Sequence, residues 1–141
     1  MPPGAPVSPG ISARIIHAAL MLGVVIFWFV AWFVAGRTAV PVEALPDRRV
    51  LYIGLFLVSA ALFGGAMFTA NRLVPLGSGV SQDEWWRVNL SKAILIWALA
   101  EAPAILGTVA YLLTRDFRTL IATFTGLLFF GAYRPSRLSE R

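Results

Sequence analysis

Four apolar runs, each close to the length of a membrane-spanning helix, occupy most of this 141-residue sequence. They cover residues 15–36, 50–70, 93–113 and 117–133, and a helix needs about 20 mostly apolar residues to cross the hydrocarbon core of a bilayer. Only 13% of the residues are charged, compared with about 25% in soluble domains. The sequence therefore predicts an all-α fold, an integral membrane bundle of four transmembrane helices in contact with the lipid bilayer.

The segments outside the apolar runs are short and predict no soluble domain. Residues 1–10 are rich in Pro and Gly and carry no charged side chain, so they predict a disordered N-terminal tail. Residues 11–134 form the predicted transmembrane domain, and residues 135–141 form a C-terminal tail.

Capping patterns predict where two of the helices begin. Asp47 precedes the second run and is a suitable N-cap. Ser81 and Glu84 have the spacing of a capping box. The third helix is therefore expected to begin near Gln82, about three turns before its apolar run.

Charged and aromatic residues at the ends of the runs predict anchors at the membrane interface. Arg14 and Arg118 flank the first and fourth runs, and the Arg118 side chain is expected to extend toward the interface. Trp85 and Trp86 precede the third run and are typical of the aromatic belts found at bilayer interfaces.

The distribution of basic residues favours a cytoplasmic location for both termini. If the chain crosses the membrane four times, seven of its Lys and Arg residues lie on the side of the termini and five lie on the other side. The side that retains more basic residues is usually cytoplasmic. We therefore predict a multi-pass protein of a bacterial inner membrane with both termini inside.

Glu101 is the candidate functional residue, because it lies near the middle of the third run. A charged side chain at that depth costs about 2.5–3.5 kcal/mol to insert. Pro103 adds a predicted kink, since proline has no N–H to continue the helical hydrogen bonds. Ser59 and Thr125 lie at similar depth on the second and fourth runs. The three polar residues are candidates for an ion-binding site or for hydrogen bonds that hold the bundle together.

Small residues at a spacing of four predict a closely packed helix pair. The second run contains Ala61 and Gly65 at this spacing, with Gly64 beside them, and the third run contains Ala100 and Ala104. Stripes of small residues let helix backbones approach closely in lipid. We therefore expect the second and third helices to pack as an antiparallel hairpin.

Several functional classes are excluded or disfavoured by what the chain lacks. It has no cysteine and one histidine, so thiol chemistry and a multi-histidine metal site within one chain are excluded. The sequence also has no nucleophile–base pair and no phosphate-binding glycine loop. We expect no enzymatic activity, no cofactor and no metal. Nucleic acid is not an expected partner, because the basic residues flank apolar runs.

The third run resembles the second helix of the rotary ATP synthase proteolipid, subunit c. That helix has a basic residue near its start and an essential carboxylate among small residues, and Glu101, Ala104, Ile105 and Gly107 match this pattern. The resemblance implies that Glu101 carries a proton or another cation.

The whole chain is similar to small four-helix bacterial membrane proteins of unknown function. The shared features are the Glu-x-x-Ala pattern at Glu101 and an Arg-Pro pair at Arg134. This likeness favours a non-enzymatic protein that packs with other membrane subunits or with itself, as an accessory or assembly subunit or a homo-oligomer. A proteolipid-like ion carrier is the alternative, and a small-solute transporter is a weaker one.

Overall fold

The computed structural model describes residues 8–37, 47–77 and 79–139, and the regular structure in these ranges is helical. The helices are α1 (Pro9–Ala35), α2 (Arg48–Ala70), α3 (Gln82–Thr114), α4 (Leu120–Ala132) and the short α5 (Pro135–Leu138), with a 3₁₀ turn at Phe117–Thr119. The all-α prediction is confirmed for these ranges. By length and composition, α1, α2 and α3 could each cross a membrane, whereas the apolar segment Phe117–Ala132 is shorter.

The predicted starts of α2 and α3 are confirmed by hydrogen bonds at their N-caps. The Asp47 carboxylate accepts a hydrogen bond from the backbone N–H of Arg49 at 3.0 Å. The Ser81 hydroxyl accepts one from the backbone N–H of Glu84 at 3.2 Å. Such caps satisfy N–H groups that have no partner within the first helical turn.

The first helix begins earlier than the apolar run predicts. Ser8 caps α1, whose first residue is Pro9, a favoured residue at this position because its missing N–H would have no helical partner. Residues 8–10 of the predicted tail therefore belong to the helix start, and residues 1–7 lie outside the described residues.

The long helix α3 lies at the centre of the bundle and packs against α1, α2 and α4. It runs parallel to α1 and antiparallel to α2 and α4, so the start of α1 and the end of α4 lie at the same end of the molecule. The contacts that show these directions are Gly10 with Trp86, His17 with Trp97, Gly65 with Leu99, Tyr52 with Asp116, Gly107 with Thr119, and Gly126 with Ala104.

The three long helices differ greatly in burial. In the most apolar stretch of each helix, 11% of the residues are buried in α1 and α2 and 50% in α3. The core therefore follows α3, where Ile96 and Trp97 are fully buried, and extends to Phe130 on α4. The apolar outer faces of α1 and α2 are available to lipid or to another protein.

The helices α3 and α4 approach each other closely at two glycines. A Cβ atom added to Gly107 would lie 2.7 Å from the Thr119 carbonyl oxygen, and one added to Gly126 would lie 2.7 Å from the Ala104 Cβ. The helix α2 does pack antiparallel to α3, but these two glycines bring α4 closer to α3 than any side chain at their positions would allow.

The small residues on α2 that face α3 differ from most of those predicted. Ala61 and Gly64 are exposed, whereas Ala66 and Ala70 are buried. Gly65 is partly buried, and the Leu99 Cδ1 lies 3.5 Å from where its Cβ would be. The packing stripe of α2 therefore lies further round the helix than the predicted one.

The predicted C-terminal tail folds back onto the bundle. Pro135 begins α5, and Leu138 is 1% exposed and belongs to the hydrophobic core. The Gln82 side-chain amide donates to the Ser139 hydroxyl at 2.9 Å. The described part of this segment is thereby attached to the start of α3.

Candidate functional site

The orientation of Glu101 follows from its neighbours on α3. Leu99 contacts Gly65 of α2, and Ala100 contacts Gly126 of α4. Each residue turns the helix by about 100°, so Glu101 lies on the side of α3 away from Leu99. That side also carries Trp97, whose ring contacts His17 of α1. Glu101 therefore lies on the α1 side of the bundle.

Glu101 is half-buried, at the edge of a strip that is open to the outside. Ala98 and Ile105, which neighbour it on the helix surface at spacings of three and four, are both exposed. Within the described ranges, the Glu101 carboxyl has no hydrogen-bond donor and no cation close enough for an ion pair. This side chain therefore has no polar partner in the described part of its own chain.

The predicted group of three polar residues is not brought together. Ser59 and Thr125 line one cavity of about 420 Å³ between α2 and α4, and Glu101 is not among its lining residues. Ser59 is 7% exposed, and its hydroxyl has no hydrogen-bond partner among the described residues. The proposed Glu101–Ser59–Thr125 ion site is therefore not formed in this structure.

Pro103 is buried inside α3, and the kink expected at this residue stays a prediction. One turn further along, the Thr108 and Thr123 hydroxyls lie 3.0 Å apart. Both are also within 3.0 Å of the Ala104 carbonyl oxygen, which accepts hydrogen bonds from them. Both threonines are fully buried, so this cluster links α4 to α3 at the depth of their close contact.

The end of α4 receives hydrogen bonds from two side chains on other helices. His17 Nε2 lies 3.0 Å from the Phe130 carbonyl oxygen, which identifies this nitrogen as the protonated one. Trp97 Nε1 donates to the Tyr133 carbonyl oxygen at 2.8 Å. The last carbonyls of a helix have no intrahelical partner, so α1 and α3 together cap α4.

The predicted aromatic anchors lie inside the protein. Trp85 and Trp86 are 3% and 2% exposed, so their rings do not face lipid as the aromatic-belt prediction requires. Trp85 Nε1 donates to the Val74 carbonyl oxygen at 2.6 Å, and Trp86 packs near Gly10 of α1. Their role in this structure is to hold the α2–α3 connection and α1.

The same connection is held by a fully buried asparagine that the sequence interpretation did not identify. The Asn89 side-chain oxygen accepts from the backbone N–H of Val74 at 3.0 Å, and its amide donates to the Trp85 carbonyl oxygen at 3.2 Å. Lys92 Nζ donates to the Arg72 carbonyl oxygen at 2.9 Å. The sequence does show an Asn just before the third apolar run, but it does not indicate which backbone groups this side chain binds.

The predicted arginine anchors lie at opposite ends of the bundle, and both are exposed. Arg14 is on the first turns of α1, and Arg118 lines the cavity between α2 and α4. Beside Arg118, the Tyr52 hydroxyl donates to Asp116 at 2.6 Å. This hydrogen bond is the main cause that holds the pKa of Asp116 below its usual value, and a hydrogen bond from the backbone N–H of Arg118 acts in the same direction.

The described residues contain no group of three His, Cys, Asp or Glu side chains that could hold a metal ion. No known protein family, curated protein or solved structure matches this chain. The two resemblances drawn from the sequence therefore stay predictions.

Proposed function

We propose that this chain is a small, non-enzymatic protein that crosses the membrane four times and packs against another membrane subunit or a second copy of itself. The observation that carries the proposal is Glu101, a half-buried carboxyl in the middle of an apolar helix with no polar partner in the described part of its chain. Intramembrane ionisable groups are usually paired or face a protein interior. A donor on a neighbouring protein would supply the missing partner.

The surface around Glu101 suits the approach of another helix. Ala98 is small and exposed, and Ile105 extends the apolar strip beyond the carboxyl. One interhelical hydrogen bond in a membrane contributes about 0.6–2 kcal/mol. The Glu101 bond would therefore set the register and choice of partner, while the apolar contact supplies most of the affinity.

Four crossings are compatible with the short fourth segment. Phe117–Ala132 would be about 24 Å long, a few ångströms less than the hydrocarbon core. The exposed Arg118 at its start could reach the interface through its long side chain. The shared end of α1 and α4 would then face the cytoplasm of a bacterial inner membrane.

Two substitutions of Glu101 test the packing function. Glu101→Gln retains hydrogen bonding, and Glu101→Leu removes it. We expect the same protein, or a second copy of the chain, to be recovered from native membranes with wild type and Glu101→Gln, and to be reduced about threefold or more with Glu101→Leu. Glu84→Gln is the matched control, because Glu84 is an exposed carboxyl at the start of α3. Equal recovery with all four proteins would contradict the proposal.

A cation-carrying function for Glu101 is a second candidate. It is favoured by the open position of the carboxyl beside Ile105, two residues before the buried Pro103. A carrier must ionise, and glutamine cannot. Proton flux in proteoliposomes would then be abolished by Glu101→Gln, whereas unchanged flux would exclude this candidate and leave the packing function standing.

A further inference from the structure

The cavity between α2 and α4 is a groove formed by two helices that run in the same direction. Both helices run antiparallel to α3, and between them they leave about 420 Å³ unfilled. Most of the lining side chains are apolar, including Leu55, Phe56, Phe63 and Ile121. In a membrane, such a groove offers space for a hydrocarbon chain.

The polar groups of the groove are arranged by depth. Tyr52 and Arg118 lie at the end where α2 and α4 begin, and Ser59 and Thr125 each lie seven residues further along their helix. Seven residues correspond to about 10 Å along a helix. The deeper end, at Phe63, is apolar. A ligand that follows this order has a charged head, a polar group below it, and a hydrocarbon tail.

Two observations point to an anionic lipid in particular. Ser59 lines the cavity and is more than nine-tenths buried, and its hydroxyl oxygen is shielded from the open space and has no partner among the described residues. A buried polar group without a partner is costly, and rotation of this short side chain would turn the hydroxyl into the groove. At the mouth, the Asp116 oxygens accept from Tyr52 and from the backbone of Arg118. Within the described ranges, the exposed Arg118 guanidinium makes no hydrogen bond or close ion pair, and its charge acts on the Asp116 carboxylate only at longer range.

We propose that the α2–α4 groove binds one acyl chain of an anionic glycerophospholipid. The lipid phosphate pairs with Arg118, the Ser59 hydroxyl rotates into the groove and donates a hydrogen bond to an ester carbonyl, and the acyl chain extends past Thr125 toward Phe63. The distance from Ser59 to Phe63 is about 6 Å along α2, so the groove holds the first few carbons of the acyl chain and the rest of the chain extends beyond Phe63 along the surface of the protein. This site is separate from Glu101, so it does not depend on the packing function.

Two adjacent alanines provide a matched test. Ala60 lines the groove, whereas its exposed neighbour Ala61 does not. The purified protein is equilibrated with equal amounts of phosphatidylglycerol and phosphatidylcholine of identical chains, and retained lipid is measured by native mass spectrometry. We expect wild type and Ala61→Trp to retain one phosphatidylglycerol, and Ala60→Trp to lose it.

The headgroup contact is tested by Arg118→Gln, with the exposed Arg49→Gln as control. One arginine near an anionic lipid headgroup corresponds to about a fivefold preference, so Arg118→Gln should lower the preference for phosphatidylglycerol by that factor and Arg49→Gln should not. Ser59→Ala removes a hydroxyl that has no partner among the described residues, and it should lower retention about threefold. The Ser59→Ala variant keeps the test decisive if Ala60→Trp does not fold.

Four results would overturn the proposal. The first is equal lipid retention by Ala60→Trp and Ala61→Trp. The second is an unchanged lipid preference in Arg118→Gln. The third is a change of oligomeric state in Ala60→Trp while the lipid is retained, because this result would identify a second copy of the chain as the occupant of the groove. The fourth is stabilisation of the protein by inorganic phosphate as large as that by phosphatidylglycerol, which would identify an anion site without an acyl-chain site.

Discussion

The two sides of α4 are packed in opposite ways. Toward α3, Gly107 and Gly126 let the backbones approach so closely that an added methyl group would overlap its neighbours. Toward α2, Ala122 and Thr125 border an unfilled cavity of about 420 Å³. One short helix therefore has a closed side and an open side.

This difference shows how a short helix can be fixed in position without being fully enclosed. The closed side combines close contact with the hydroxyl cluster of Thr108 and Thr123, and its far end is capped by His17. These contacts come from α3 and α1, whereas α2 contacts α4 where the Phe63 ring stacks on the Phe129 ring, with their centroids 4.6 Å apart. The rest of the open side is free to contact a ligand.

The largest expected effect is the loss of close packing on the closed side. Gly107→Ala places a Cβ against the Thr119 carbonyl oxygen and the Thr123 backbone nitrogen, neither of which can rotate away. We expect the free energy of unfolding to fall by about 1–3 kcal/mol, measured by unfolding in mixed detergent micelles. Gly64→Ala is the control, because nothing lies within 4 Å of its added Cβ. Equal effects of the two substitutions would mean that α3 and α4 are not in close contact.

The capping of α4 by His17 is expected to have the next largest effect. His17→Leu removes the donor to the Phe130 carbonyl oxygen and leaves that oxygen without its donor. The expected loss of stability is about 1–2 kcal/mol, with faster hydrogen exchange in the last turn of α4. His17→Gln, which can still donate, should recover part of the loss. If His17→Leu and His17→Gln behave alike, the hydrogen bond is not what stabilises the helix end.

Two threonines on the same helix compare its two sides directly. Thr123→Val removes a hydroxyl that contacts Thr108 and the Ala104 carbonyl oxygen. Thr125→Val removes one that borders the cavity. We expect a loss of about 0.6–1.7 kcal/mol for Thr123→Val and little change for Thr125→Val, in the same unfolding assay. A larger effect of Thr125→Val would place the stabilising side of α4 toward α2.

The smallest expected effect is the pH dependence of the contact between Tyr52 and Asp116 at the start of α4. The folded-state pKa of Asp116 lies below its usual value of 3.8 because the Tyr52 hydroxyl and the backbone N–H of Arg118 stabilise the carboxylate. The unfolded state therefore binds more protons between the two pKa values, so stability rises with pH in that window. This contribution is present above about pH 3.8 and is lost as the pH falls through the lower value.

Comparing wild type with Asp116→Asn in unfolding experiments from pH 6 to pH 2 checks this expectation. The difference in stability between the two proteins should be constant at higher pH and should shrink at the acid end. A difference that grows as the pH falls would contradict the assigned direction of the pKa shift.

Local features of the chain were predictable from the sequence. The starts of α2 and α3 were predicted because Asp47 and Ser81 cap the backbone a few residues away, and this chemistry does not depend on the rest of the fold. The helical class followed from the long apolar runs. The central position of Glu101 in α3 was predicted for the same reason.

Contacts between helices were less predictable, because small residues occur on several faces of every helix in this chain. Ala61 and Gly64 were among the residues of the predicted α2 packing stripe but are exposed, while Gly126 on α4, which does contact α3, was overlooked. The rotation of each helix about its axis decides which stripe of small residues packs against which neighbouring helix. That rotation is set by buried anchors such as Trp97 and Phe130, whose partners are far away in the sequence.

The most direct test of the packing function is photo-crosslinking from the strip beside Glu101. The probe replaces Ala98 in native membranes, and the same probe at Val58, which is exposed on α2, is the control. We predict a discrete protein adduct from position 98 that persists with Glu101→Gln and is lost with Glu101→Leu. Lipid adducts alone at position 98, or a protein adduct that Glu101→Leu leaves unchanged, would contradict a Glu101-dependent interface.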